Sequence, residues 1–302
     1  MTGTTTRTPP RSREALEATL LFSSRDQPGL VARLSGFFYE RGINIVDATN
    51  FTDVHGERGP RFFMRLVVDL GPDFAEQPAR DAMEQAFRTI VGAPLEGEWS
   101  IAYGDRVARI ALMVTRDPTC LYDLALRQRQ GELPCEIALV VSNHPLLEDA
   151  ARAFQLPFFV LPVTPETKAA QEASVLALFR EHRVELVVLA RYMQVLSDSF
   201  LQDAPPVINI HHGFLPAFQG ARPYHQAQSR GVKLIGATAH YATKDLDEGP
   251  IIEQDVTRIS HAMGPDELVR IGRDVERVVL ARAVGAHLRR RVIVEGRRTF
   301  IL

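Results

Sequence analysis

Short, uninterrupted apolar runs recur along the C-terminal two-thirds of the chain, and they constrain its fold more than any other feature. A strand that is buried on both faces carries apolar residues at every position, as in a parallel sheet covered by helices. Segments with helical character, at about 119–130, 145–154 and 167–183, separate these runs. The pattern predicts a doubly wound α/β domain with a mostly parallel sheet. The runs are Ile110–Val114, Ile137–Val141, Phe158–Val163 and Leu186–Leu189.

The N-terminal part has a different pattern, in which four short strands are mixed with two helices. The order is β-α-β-β-α-β, which is the ferredoxin-like arrangement. Both helices of that arrangement lie on one face of the sheet, so we expect the other face to pair with another copy or domain. The predicted elements are strands at 16–23, 43–52, 61–70 and 98–103, and helices from Leu30 to Arg41, ended by Gly42, and at 75–91.

These patterns predict four segments. Residues 1–15 are expected to form a flexible arm, 16–104 the ferredoxin-like domain, 105–108 a linker and 109–302 the second α/β domain. A long helix at about 265–292 and a short strand at 299–302 are expected to end the chain.

Composition excludes several classes of protein. The formal net charge is −2, so nucleic acid is not an expected partner. Cys120 and Cys135 cannot form a disulfide framework or a CxxC zinc site. No apolar run approaches the roughly 18 residues of a membrane span. We therefore expect a cytoplasmic protein with no membrane partner.

Candidate catalytic residues follow the strand Val207–Ile210. Asn209 and His211 are two residues apart and so face the same side of a strand, and Asp247 lies in a Leu-Asp-Glu-Gly-Pro turn. An Asn amide and a protonated His can stabilise an oxyanion, and an Asp can orient the His or accept a proton from water. From spacing alone, a structural His, a strand-end Asn and a turn Asp remain open alternatives. A metal site that adds His212 is disfavoured, because adjacent strand residues point to opposite faces.

Several longer segments resemble the folate-dependent formyltransferase superfamily, and within it the formyltetrahydrofolate deformylase (10-formyltetrahydrofolate hydrolase) family. Residues 25–48 resemble the ligand loop of an ACT domain, so the resemblance covers about 16–302. The segments with formyltransferase character are 189–197, 208–227, 236–241, 246–256 and 272–284, with the terminal GRRTFIL.

The resemblance implies an ACT domain followed by a formyltransferase-like domain, and roles for individual residues. Catalysis is assigned to Asn209, His211 and Asp247, and no metal or cofactor is expected beyond the substrate 10-formyltetrahydrofolate. The implied effector-binding residues of the ACT domain are Asp26, Pro28, Gly29, Gly42 and Asn44. The implied folate-binding residues are Arg191, Tyr192, Met193, Gln194, Val195, Leu196, Ala242, Thr243 and Leu246.

The first loop of the second domain bears on the formyl acceptor. Glycinamide ribonucleotide formyltransferases carry a glycine-containing loop there that cradles phosphate, whereas Thr115–Cys120 has no glycine and includes Asp117 and Pro118. Thr119 also stands where deformylases often have His. The expected chain has no added RNA-binding domain, and the basic residues Arg289–Arg291, Arg297 and Arg298 are interpreted as a solvated or subunit-contact surface. Water remains as the acceptor.

The predicted function is hydrolysis of 10-formyltetrahydrofolate to tetrahydrofolate and formate, controlling one-carbon and purine supply. The alternatives are formyl transfer to a small amine and a folate or amino-acid sensor without turnover. The ACT-like domain is expected to bind an amino acid such as glycine or methionine, or else only to oligomerise, as a homodimer or homotetramer.

Overall fold

A computed structural model describes residues 16–56, 58–217 and 223–302. The predicted flexible arm, 1–15, lies outside the described residues. The chain divides into two compact units, the first ending at Arg106 and the second running from Val107 to Ile301. No helix in the described part of the chain combines the length and apolar character needed to cross a membrane.

The N-terminal unit is a four-stranded antiparallel sheet in the order β2-β3-β1-β4. The predicted order β-α-β-β-α-β is confirmed. The second helix is shorter than predicted, because its last turn, Arg88–Gly92, widens into a π-helix. The elements are β1 (Glu17–Arg25), α1 (Leu30–Tyr39), β2 (Asn44–Asp53), β3 (Arg61–Asp69), α2 (Gln77–Phe87) and β4 (Glu98–Tyr103).

One core holds this unit together. The buried residues of α1 recur at helical spacing, at Leu30, Leu34, Phe37 and Phe38, and form the apolar stripe of an amphipathic helix. Phe37 packs edge-to-face on Phe87 of α2, with ring centroids 5.1 Å apart. Helix α1 ends two residues before the predicted Arg41, and Gly42 follows in a left-handed conformation (φ 67°). Glycine adopts this conformation without the steric cost that a Cβ would add.

The second unit is built on a seven-stranded sheet in the order β11-β10-β9-β8-β5-β6-β7. Strands β5 to β9 pair in parallel, and β10 and β11 add antiparallel strands at one edge. The predicted mostly parallel sheet is therefore confirmed. The strands are β5 (Ala108–Val114), β6 (Cys135–Ser142), β7 (Phe158–Val160), β8 (Leu186–Leu189), β9 (Val207–His211), β10 (Leu234–Tyr241) and β11 (Ile251–Arg258).

Apolar clusters cover both faces of this sheet, which explains the uninterrupted apolar runs. One cluster joins the sheet to α3 and α8, and the other joins it to α5 and α6. The helices are α3 (Thr119–Arg129), α4 (Glu148–Ala153), α5 (Lys168–Glu181), α6 (Asp198–Asp203), α7 (Pro223–Ser229) and α8 (Pro265–Leu288).

The end of the chain differs from the sequence prediction. Helix α8 stops at Leu288, not near 292, and Arg290 then takes a left-handed conformation (φ 53°) that no α-helix continues through. Residues 292–302 form a hairpin of β12 (Val292–Glu295) and β13 (Arg298–Ile301) and not one strand. Val292, Ile293 and Val294 are β-branched, which favours a strand over further helix.

Candidate active site

A cavity of about 490 Å³ lies where β8 and β9 run side by side. Leu189, the last residue of β8, pairs with Asn209 of β9, so the segment after β8 lies next to the polar end of β9. This is where open α/β sheets bind ligands, beyond the carboxyl ends of parallel strands. All three predicted catalytic residues and all nine predicted folate-binding residues line this one cavity.

His211 and Asp247 form a buried pair at the cavity. The His211 Nδ1 atom lies 3.2 Å from Asp247 Oδ2, and the two side chains are only 4% and 7% exposed. Burial alone would raise the pKa of the Asp247 carboxyl, but the neighbouring imidazoles, chiefly through the hydrogen bond from His211, outweigh burial and hold that pKa well below its ordinary value. Asp247 is therefore a carboxylate throughout the neutral range, and it orients the imidazole of His211.

The turn that carries Asp247 has tight backbone requirements. Asp247 itself is left-handed (φ 57°), a conformation that Asp tolerates better than most residues. A Cβ on Gly249 would lie 1.7 Å from the Tyr241 carbonyl oxygen, so only glycine fits there. Hydrogen bonds from Tyr241 N to the Pro250 oxygen and from Ala242 N to the Val207 oxygen fasten both ends of the turn to the sheet. The Leu-Asp-Glu-Gly-Pro sequence thereby fixes where the carboxylate lies.

His240 is a site residue that the sequence analysis did not single out. It pairs with Asn209 in the antiparallel register of β9 and β10, and its Nε2 lies 3.2 Å from Asn209 Nδ2. The His240 Nδ1 lies 3.0 Å from the Tyr241 carbonyl oxygen, which can only accept, so Nδ1 carries a proton. In the neutral ring Nε2 then accepts from the Asn209 amide and fixes its orientation. The segment GATAHY contained His240, but only the strand register reveals its partner.

His212 follows the last residue of β9 and so escapes the alternation of strand residues. Its ring centroid lies 5.5 Å from that of His211 and both residues line the cavity, so the predicted opposite orientation is not observed. Burial, together with the charge of Arg191, lowers the pKa of the His212 imidazole to about 4, so this ring is neutral at neutral pH. Within residues 16–56, 58–217 and 223–302, no cluster of three His, Cys, Asp or Glu side chains is placed to hold a metal ion.

The predicted folate-binding residues form two walls of the cavity, one from 191–196 after β8 and the other from 242–246 after β10. Tyr192 is buried and bonded to Gln171, with its hydroxyl 3.1 Å from Gln171 Nε2. The Met193 amide donates to Thr115 Oγ1 at 3.0 Å, which ties this wall to the first loop. The Met193, Val195 and Leu246 side chains remain more than half exposed. Exposed apolar side chains that line a cleft are typical of a ligand-binding site.

The predicted effector residues do not meet within one chain. Asp26, Pro28 and Gly29 precede α1, whereas Gly42 and Asn44 follow it. A helix of 10 residues is about 15 Å long, so the two groups lie at opposite ends of α1. A single amino-acid site could use both groups only if a second copy brought its own set alongside.

Comparisons with known proteins identify a matching family for each of the two units. A family model described as formyl transferase matches residues 108–284, and a model of the ACT domain matches residues 18–79. A formyltetrahydrofolate deformylase from Synechocystis sp. is 48% identical over 286 residues, which cover 95% of this chain and 98% of that protein. The Bacillus subtilis protein of the same name is 41% identical and matches 93% of this chain and 92% of its own length.

Solved structures give the same result. The crystal structure of a formyltetrahydrofolate deformylase from Pseudomonas syringae matches with a TM-score of 0.89 and 41% identity, covering 97% of this chain and 96% of that one. Glycinamide ribonucleotide transformylase 1 from Symbiobacterium toebii matches with a TM-score of 0.63 and 29% identity, but covers only 66% of this chain. The likeness to the first structure thus spans both units.

Proposed function

The chain belongs to the formyltetrahydrofolate deformylase family, and from this premise we propose how its second unit hydrolyses 10-formyltetrahydrofolate to tetrahydrofolate and formate. The observation that carries the proposal is the buried His211–Asp247 pair beside Asn209, in a cavity lined by the residues that the family resemblance assigns to folate. The His211–Asp247 pair supplies a proton acceptor, and the Asn209 amide supplies a hydrogen-bond donor for the oxyanion. The cavity walls supply an apolar binding surface for the ligand.

Proton transfer belongs to His211 in this proposal. Asp247 is a weak proton acceptor by itself, because its pKa is held low. Its carboxylate instead accepts a hydrogen bond from the Nδ1–H group of His211, which leaves Nε2 as the ring nitrogen that acts on water. The resulting imidazolium is stabilised by the adjacent carboxylate, as in other Asp–His pairs.

The proposed reaction has two steps, the addition of water to the formyl carbon and the breakage of its bond to N10. His211 Nε2 removes a proton from water while the water oxygen attacks the formyl carbon, and the carbonyl oxygen becomes an oxyanion. The Asn209 amide has two N–H groups; one is directed to His240, and the other is assigned to the oxyanion. The bond from the formyl carbon to N10 then breaks as the oxyanion re-forms a carbonyl, and the proton on His211 passes to N10. Tetrahydrofolate and formic acid result, and the acid loses its remaining proton to solvent and leaves as formate.

For the N-terminal unit we propose an amino-acid effector site, supported by its match to the ACT domain. Glycine and methionine are the first candidates, because both are products of one-carbon metabolism. Titration calorimetry with each amino acid tests the proposal, and the absence of heat with any of them would leave oligomerisation as the role of this unit.

The assay that tests hydrolysis measures formate release from 10-formyltetrahydrofolate without an added amine. We expect repeated turnover, lost in His211→Ala and kept in His261→Ala, since His261 is exposed and does not line the cavity. Turnover that appears only after a small amine is added would make the protein a transferase. Folate binding with no turnover under either condition would make it a sensor.

A further inference from the structure

A second cavity, of about 400 Å³, adjoins the folate cavity and is lined mainly by the first loop of the catalytic unit. The two cavities share Arg191 and Met193. The second cavity contains three arginines, Arg116, Arg191 and Arg273, and one carboxylate, Asp117. Its position next to the reacting centre makes it the place where a second substrate would approach the formyl group.

Asp117 is held at the beginning of α3. Its Oδ1 accepts the Thr119 backbone N–H at 3.0 Å, and the side chain is only 11% exposed. Its Oδ2 lies 2.8 Å from Arg273 Nε and 3.7 Å from Arg191 Nε. Burial opposes ionisation, but the Thr119 hydrogen bonds and the two guanidinium groups together lower the pKa of the Asp117 carboxyl. Asp117 therefore places a negative charge at a helix N-terminus between two cations.

Arg191 is held in this place at a conformational cost. Its backbone is left-handed (φ 63°), which is uncommon for a residue with a Cβ. Its guanidinium Nη1 lies 2.5 Å from Oε2 of Glu276, which is fully buried and also accepts from the Tyr224 hydroxyl at 2.6 Å. Arg191 thus has two carboxylate partners, Asp117 and Glu276. Arg273 contacts Asp117 in this cavity.

We propose that Asp117 is an internal counter-ion that determines acceptor specificity, because it occupies the position where the phosphate of a second substrate would otherwise bind. Helix N-termini and paired guanidinium groups are the usual elements of a phosphate site. Here the Asp117 carboxylate already occupies the position between the helix N-terminus and the guanidinium groups. The phosphate of a phosphorylated amine would find that position occupied and would be repelled by the like charge. A water molecule carries no charge and does not need to bind there. The inference rests on the proposed hydrolysis and explains why water is the acceptor.

The test removes the charge and keeps the hydrogen bond to the Thr119 N–H. Asn and Ser side-chain oxygens also accept from a backbone N–H two residues on, so Asp117→Asn and Asp117→Ser should retain that hydrogen bond. The probe is inorganic phosphate, titrated by calorimetry at constant ionic strength. We expect each variant to bind phosphate at least about tenfold more tightly than the wild-type protein, or about 1.4 kcal/mol.

Two controls locate the effect. Asp123→Asn is the matched variant, because Asp123 lies on α3, pairs with two arginines and is 11% exposed, yet does not line this cavity. It should gain no phosphate binding. Adding Arg273→Gln to Asp117→Asn should abolish the gain.

Equal phosphate affinity in the wild-type protein and in folded Asp117→Asn and Asp117→Ser would overturn the proposal, as would a gain that survives Arg273→Gln. The phosphate titration uses no folate, so its result does not depend on whether the protein hydrolyses 10-formyltetrahydrofolate. A wild-type protein that releases no formate would refute the proposed function, whatever the phosphate result.

Discussion

At the scale of single residues, the catalytic unit places two functional side chains by means of unusual backbone conformations. Asp247 and Arg191 are both left-handed, although neither is glycine. Such conformations cost on the order of 1–3 kcal/mol and persist only where surrounding contacts fix them. His211 and His240 fix Asp247, and Glu276 fixes Arg191. Two of the six described non-glycine residues with positive φ are therefore Asp247, to which the chemistry is assigned, and Arg191, which contacts Asp117.

Replacing Asp247 by Asn should separate binding from turnover. The amide keeps the size of the side chain but removes the charge that stabilises the His211 imidazolium. We expect the rate of formate release to fall by about 10²–10⁴, the usual contribution of acid–base catalysis, with little change in the affinity for a folate ligand measured by fluorescence.

Asp245→Asn provides the control, because Asp245 lies in the same turn but its exposed side chain does not line the folate cavity. Wild-type turnover in Asp247→Asn would show that the pair has been assigned the wrong role.

At the scale of elements, the site depends on an antiparallel strand at the edge of a parallel sheet. Strand β10 brings His240 opposite Asn209 and then leads into the turn that carries Asp247. A shift of one residue in this register would turn His240 to the other face of the sheet. The β10 strand and its turn thus act as one positioning element for the site.

Gly249→Ala should disrupt this element. The added methyl group would overlap the Tyr241 carbonyl oxygen, so the turn must move away from β10 and carry Asp247 with it. We expect at least a tenfold loss of kcat, about 1.4 kcal/mol of activation free energy, measured as formate release.

Gly264→Ala is the matched change, since a Cβ at Gly264 meets nothing within 4 Å and the residue is not left-handed. If Gly249→Ala released formate at the wild-type rate, the close approach of the turn to β10 would not matter for catalysis.

At the scale of the whole molecule, the chain combines two units that each have their own core. In the N-terminal unit, β2 is an edge strand with Val46 and Phe51 about half exposed. An exposed apolar edge strand favours pairing with a further strand, and a second copy of this unit offers one. We therefore expect self-association through β2, which would also bring together the effector residues from the two ends of α1.

Phe51→Glu tests this association. A charge on the edge strand should be costly to bury against a second copy, so the variant should have half the wild-type mass, which for a wild-type dimer is the monomer mass of 33.7 kDa. Analytical ultracentrifugation should give two or four times that mass for the wild-type protein. A wild-type monomer would contradict the prediction, and an unchanged variant mass would place the contact elsewhere.

The sequence by itself determined the elements and most of the site. Apolar runs predicted β5, β6 and β8 because a strand buried on both faces must be apolar throughout. The segments around Asn209, His211 and Asp247 carried the family resemblance, and the structure brings those residues to one cavity. Burial and turn chemistry act over a few neighbouring residues, so they can be read from the sequence.

Tertiary structure alone decided the contacts between residues far apart in the chain. The pairing of Asn209 with His240 depends on strand register, and the contacts of Asp117 with Arg191 and Arg273 depend on how β5, β8 and α8 pack. The terminal hairpin likewise replaced a predicted helix end. Such contacts join side chains whose separation is fixed by the packing of whole elements, and no local pattern in the sequence encodes that distance.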